Sequence, residues 1–122
     1  MKCILLKTLD KSGIVDIDYD NFLDEAYKLL DCTTIETASC VRSEYLFIVD
    51  GEGKIKEPPK DLNVEASSLY PGVPIDCLCG DVLLCKRDPH DPSEFTTLNE
   101  EDKEFFSWLL GYELEELDID EL

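Results

Sequence analysis

Apolar and polar positions change period several times along the chain, and each change marks an element boundary. "MKCILLKTL" and "GIVDIDY" are short apolar runs separated by "DKSG", the Asp/Ser/Gly chemistry of a turn, which predicts a hairpin over residues 2–19. In "DNFLDEAYKLL" Phe22, Leu23, Ala26, Leu29 and Leu30 recur at helical intervals, and Asp20 stands where an N-cap carboxylate accepts orphan backbone donors. A helix packed on the hairpin is expected there. "TTIETAS" and "SEYLFIVD" are β-rich, and the two glycines of "DGEG" provide a tight connection into "KIKE", giving three more strand candidates. After Pro58 and Pro59, "LNVEASSLY" spaces Leu62, Ala66 and Leu69/Tyr70 for one or two helical turns before Pro71 and Pro74 stop them. "IDCLCGDVLLCKR" reads as a last strand pair, or one bent strand broken at Gly80.

Near the C-terminus, Thr97 and Glu100 sit at capping-box spacing, and Phe105, Phe106, Trp108, Leu109 and Leu110 supply an apolar face to a helix over 98–110. Past Gly111, Leu114, Leu117, Ile119 and Leu122 punctuate an acidic run that either extends the helix or frays until a partner folds it; fraying is the expectation for the free chain. The elements sum to an α+β fold. A mixed or antiparallel sheet of about five strands carries the first helix and the C-terminal helix on one face. Residues 1–110 form a single domain and 111–122 an acidic tail.

Composition changes this picture mainly through charge. The 122 residues suffice for one core, burying about two-thirds of the unfolded surface. Against 29 Asp plus Glu stand 11 Lys plus Arg, a formal net charge of −18. Residues 98–122 hold ten acidic residues and one lysine, so half of that net charge lies in the last fifth of the chain. Such a surface repels nucleic acid and anionic membranes and favours encounter with basic partners, including surfaces that otherwise hold phosphates. Solubility alone is the plainer explanation of acidity. No apolar segment approaches the ~20 residues that span a bilayer, and no leader-like stretch stands out, so a cytoplasmic protein with free thiols at its six cysteines is expected.

Three constellations invite chemistry. Cys77 and Cys79 would project from one face of a strand, but zinc asks for four ligands and His90 is the sole histidine; the spacing also differs from a CxxC redox centre. Asp16, Asp18 and Asp20 match the first three ligand positions of an EF-hand loop. That loop then fails, because Asn21 replaces the turn glycine and Tyr27 the bidentate glutamate. In "DPHDP" His90 lies between Asp88 and Asp91 with prolines beside it, as in an exposed loop. No phosphate-cradling glycine loop or nucleophile elbow appears. The expectation is a protein without catalytic residues, bound metal or cofactor.

Residues 48–86 carry a recognisable pattern: an apolar strand ending in Asp50, Glu52 and Gly53, then Asn63, Ala66, Ser67 and Tyr70, then Gly80, Asp81, Val82 and Leu83. With "LLDCTTIETAS" upstream, the region from about 28 to 110 resembles a domain-of-unknown-function family of small proteins carried by phages and mobile elements of gut Firmicutes. The resemblance implies a genomic setting and brings no established activity with it. Each motif residue also has a structural use: Gly53 suits a positive φ, Ala66 close helix packing, and Asn63 a helix cap.

Three functional readings follow. In the first, an acidic interaction protein binds a basic host protein and occupies its nucleic-acid groove, without contacting nucleic acid or membrane. Glu100, Glu101, Asp102, Glu104, Glu113, Glu115 and Glu116 then stand in for phosphates. In the second, Asp50, Glu52, Asn63 and Ser67 line a pocket that sequesters a small ligand or nucleotide. In the third, the chain is a structural or regulatory subunit whose acidity serves solubility.

Overall fold

The N-terminal runs pair as expected: β1 (Lys2–Leu6) and β2 (Gly13–Asp16) are antiparallel, with Ile4 opposite Ile14. The computed structural model describes residues 1–72 and 76–122, and in it β1 lies at the centre of a seven-stranded mixed sheet. The other strands are β3 (Ile35–Ser39), β4 (Tyr45–Asp50), β5 (Val82–Arg87), β6 (Phe95–Thr96) and β7 (Glu115–Glu116). Their order is β3-β4-β5-β1-β2-β7, with β6 added to the far end of β5. All pairings are antiparallel except β2 with β7.

Cys3, Ile4, Leu5 and Leu6 are all buried, which a strand achieves only if both faces of its sheet are covered. Helix α1 (Phe22–Leu30) covers the face of Cys3, Leu5, Leu83 and Cys85 with Ala26 and Leu30. The short α2 (Val64–Ser68) and α3 (Glu100–Leu110) cover the opposite face, where Ala66 and Phe106 meet Ile4, Leu6, Phe47 and Leu84. The expectation of both main helices on one face is thus corrected. Apolar side chains on both faces of β1, β4 and β5 need a layer on each side. Among the described residues no helix is long and apolar enough to cross a membrane.

Other departures have local causes. "KIKE" forms turns instead of a strand, because Lys56 and Lys60 fold back onto the carboxylate of Asp50. Cys77 and Cys79 precede β5 and lie outside it; Cys79 makes only an isolated bridge to Leu62 before the chain turns at Gly80, whose φ of 79° suits glycine. Pro74 and Ile75, expected to end the helical turns and open the last strand, lie outside the described residues. Gly53 has no positive φ; it is buried, and a Cβ there would sit 3.3 Å from the Cys79 carbonyl oxygen. Asp20 does not cap α1. A 3₁₀ turn over Tyr19–Asn21 comes first, and Asp18 caps it by accepting from the Asp20 N–H.

The tail departs most. Leu114 is fully buried with the α3 layer, its N–H donates to Ser107 Oγ at 3.0 Å, and β7 joins the sheet beside β2. Gly13 makes room for it: a Cβ there would lie 2.6 Å from both the Glu115 carbonyl oxygen and the Leu117 side chain. Tyr112 adds a polar clamp, its hydroxyl donating to Glu65 at 2.7 Å and accepting from the Ser12 N–H at 3.1 Å. Residues past Gly111 therefore belong to the domain. Leu114→Ala should cost about 2–5 kcal/mol in denaturant unfolding, the loss from a core leucine; a frayed tail would give no change.

Candidate functional site

Two distinct Thr/Asn-to-acid pairs in "TTLNEED" have capping-box spacing, and the fold uses the second. Asn99 Oδ1 accepts from the Asp102 N–H, and Asp102 Oδ2 accepts from the Asn99 N–H, both at 2.9 Å. Thr97 is occupied elsewhere, accepting from the Lys2 N–H at 2.9 Å. Asp102 is preferred because its carboxylate also reaches into the core. Lys86 Nζ lies 2.8 Å from Oδ2, and the Tyr45 hydroxyl donates to Oδ1 at 2.6 Å. Asp102 is therefore buried and internally satisfied, which removes it from the expected set of phosphate stand-ins.

The remaining carboxylates of that set are exposed, and four of them fall into two groups. Glu100 and Glu116 share a shallow groove with Lys2 and Lys103, where Lys2 Nζ contacts Glu116 at 2.5 Å. Glu101 and Glu104 lie elsewhere, on a stripe of α3 completed by Trp108 at helical i, i+3 and i+7 spacing. Trp108 was expected in the core. It is instead 76% exposed, with Leu109 also exposed and only Phe106 of that apolar run fully inside. Beside it Phe105 is half-buried; its ring centre is 6.4 Å from that of Trp108 and 4.7 Å from the Arg42 guanidinium. Among the described residues Glu101, Glu104, Glu113 and Glu115 have no ion-pair partner.

The alternative ligand set does not converge on a pocket. Asn63 is fully buried, caps α2 by accepting from the Ala66 N–H at 2.9 Å, and donates to the carbonyls of Leu6 and Gly80, each at 2.9 Å. Ser67 exchanges hydrogen bonds with the backbone of Leu78. Asp50 is buried, with Oδ2 lying 2.5 Å from Lys56 Nζ and 2.9 Å from Lys60 Nζ as ion pairs off hydrogen-bond alignment. Glu52 is exposed, and its N–H donates to Asp50 Oδ1 at 2.9 Å. Lys60 also donates to the last carbonyls of α1, Leu30 and Asp31. These residues hold the fold together and leave no free donors for a ligand. A cleft of about 600 Å³ does open nearby, walled by residues 36–39 of β3, Asp50, Lys54, Tyr70, Gly72, Asp76 and Cys79. Of the four predicted ligand residues, only Asp50 touches it.

Cys3 and Cys85 are buried across from one another on β1 and β5 with their sulfurs 3.7 Å apart, and burial pushes the Cys32, Cys40 and Cys79 thiols up. His90 is exposed. Asp16 is exposed on β2 and accepts from the Met1 ammonium, while Asp18 is spent on its turn. Among the described residues no group of three or more His, Cys, Asp or Glu side chains could hold a metal ion.

Residues 1–110 match the family described as Domain of unknown function (DUF3846), a span that begins earlier than the resemblance carried by residues 28–110. No curated protein and no solved structure matches the chain.

The two buried carboxylates set an acid limit on stability. Burial pushes Asp102 up, but the Asn99 N–H, Lys86 and Tyr45 outweigh it and leave its pKa below the ordinary 3.8. Asp50 behaves alike: burial is outweighed by Lys56, the Glu52 N–H and Lys60. Both folded-state pKa values are lowered, so the stabilisation is complete above the ordinary carboxylate pKa and is lost as pH falls through the lowered values. Asp102→Asn should flatten the fall of unfolding free energy with acid below about pH 4 relative to the parent chain. Parallel slopes in denaturant titrations across that range would contradict this.

Proposed function

The chain belongs to the DUF3846 family, and from that starting point we propose a non-catalytic interaction protein of phage or mobile-element origin that docks on a basic host protein. It occupies the groove in which that protein holds nucleic acid. The observation that carries the reading is Trp108, three-quarters exposed on an α3 stripe with Glu101 and Glu104. Trp108 lies against the half-buried Phe105 and beside the exposed Leu109, and acidity that serves solubility alone does not account for such an apolar patch. A flat aromatic flanked by carboxylates reproduces what a nucleic-acid-binding groove accepts, a base to stack on and phosphates for its lysines and arginines. Carboxylates are poor substitutes singly. Their long-range field compensates, because a net charge of −18 steers a basic partner into encounter at low salt.

Division of labour follows from that chemistry. Trp108 supplies the desolvated anchor around which affinity concentrates, and Glu101, Glu104, Glu113 and Glu115 supply orientation and rate. Asp102 contributes indirectly: its ties to Lys86 and Tyr45 fix the helix that presents the stripe.

The test is affinity capture from a bacterial host lysate on the immobilised full chain, eluted by salt, followed by titration of the retained basic protein. Trp108→Ala should weaken binding by about 30-fold, the loss typical of a central aromatic anchor. Glu101→Lys with Glu104→Lys should weaken it further and flatten its salt dependence. Trp108→Ala should keep the parental unfolding midpoint, since that side chain faces solvent, and the lysine pair, set near the N-terminal end of α3, should lower it only slightly. Equal retention of a partner by parent and variants would reject this surface.

A further inference from the structure

Among the described residues β3 ends the sheet, and none of them pairs with its outer edge. Gly51 N–H donates to the Thr34 carbonyl, which makes Thr34 and Gly51 a hydrogen-bonded pair. Alternation then turns the backbone groups of Glu36 and Ala38 toward β4 and those of Ile35, Thr37 and Ser39 outward. The other side of β4 agrees: Glu44 accepts from the Arg87 N–H, so Glu44, Leu46 and Ile48 face β5, leaving Phe47 and Val49 to face β3. Among the described residues no hydrogen bond satisfies the outward groups of Ile35, Thr37 or Ser39, and Thr37 and Ser39 are exposed.

Sheets usually blunt such an edge with a proline, a lysine or a bulge. β3 reads Ile-Glu-Thr-Ala-Ser in unbroken register over five residues and has none of these; its one charged side chain, Glu36, is turned to the cleft. Glu36 and Ala38 face the 600 Å³ cleft, whose far wall is Tyr70, Pro71, Gly72 and Asp76. Two carboxylates, Glu36 and Asp76, therefore rim a cleft directly beside an open row of donors and acceptors. The one lysine in the rim, Lys54, is already paired with Asp76.

We propose that β3 binds an extended basic peptide by β-augmentation, a segment of a partner protein that adds an eighth strand and drops alternate lysine or arginine side chains into the cleft beside Glu36. Backbone pairing with Ile35, Thr37 and Ser39 supplies the affinity, and the cleft reads every second side chain. A second copy of this chain fits the edge less well, because bodies carrying −18 each repel. This surface is separate from the α3 stripe. The two can fail independently.

The probe is a capped hexapeptide of alternating valine and lysine, titrated into the full chain with backbone amide exchange followed residue by residue. At saturation the amides of Ile35, Thr37 and Ser39 should slow by about tenfold or more, while Trp108 fluorescence stays unchanged. Thr37→Pro removes an outward donor without touching the β3–β4 ladder and should abolish binding. Should that variant unfold, Ser39→Pro makes the same test at the strand end. Glu36→Lys should weaken binding about tenfold, and a hexapeptide with glutamate for lysine should not bind. The proposal is overturned if the peptide shifts Trp108 and leaves β3 exchange unchanged, or if both proline variants bind like the parent. It is also overturned if sedimentation shows a dimer that Thr37→Pro converts to a monomer.

Discussion

The side chain of Asn63 is the constraint on which the rest of the structure leans. One buried amide accepts from the first turn of α2 and donates to carbonyls from the end of β1 and from Gly80, so it joins a central strand, a covering helix and the turn into β5. Its own N–H donates to the Leu78 carbonyl. No other neutral residue offers an acceptor and two donors from a planar group of that size, apart from the longer glutamine. Without it, two buried carbonyls would lose their partners, each at a cost of about 1–3 kcal/mol. The segment between β4 and β5 lies over the sheet because this amide holds it there, and that segment forms one wall of the cleft.

A second constraint is how scarce positive charge is used. Of 11 Lys and Arg, six form ion pairs among the described residues, and Asp50 alone takes two of them. Lys60 joins Asp50 to the carbonyl end of α1, where a cation offsets the helix dipole. Lys86 neutralises Asp102 under α3. Lys56, Lys60 and Lys86, turned onto the buried carboxylates of Asp50 and Asp102, are three cations that do little to moderate the outer surface.

The period changes revealed the hairpin, α1, β3, β4, α2 and α3, since each has a run long enough to show its period. β6 and β7 were invisible because two-residue strands have no period; they exist through pairing with β5 and β2. The opposite placement of α1 and α3 was implicit in the unbroken run Cys3–Leu6 but needed both sheet neighbours to interpret. At the candidate site the acidic positions were legible and their accessibility was not. Asp102 and Glu101 look alike in sequence, yet one is locked under the helix and the other is free. Trp108 was read as core because helical spacing cannot distinguish an inward from an outward aromatic. A physical signal was present: Glu101 and Glu104 lie on its stripe, and an inward stripe would have buried them too.

The pairing of β1 with β5 joins Ile4 to Leu84, and that of β2 with β7 joins Gly13 to Glu115. Contacts of such long sequence separation make folding slow compared with a helical domain of equal size. They also impose an order during synthesis. The first hairpin emerges with two apolar faces, and its main partner strand is translated only after about two-thirds of the chain. Until β5 arrives, β1 presents an open edge of unpaired backbone groups between two apolar faces, and only the half of the net charge that lies before residue 98 is there to oppose aggregation. The acidity of this sequence therefore bears on the ribosome-bound chain as well as the finished surface.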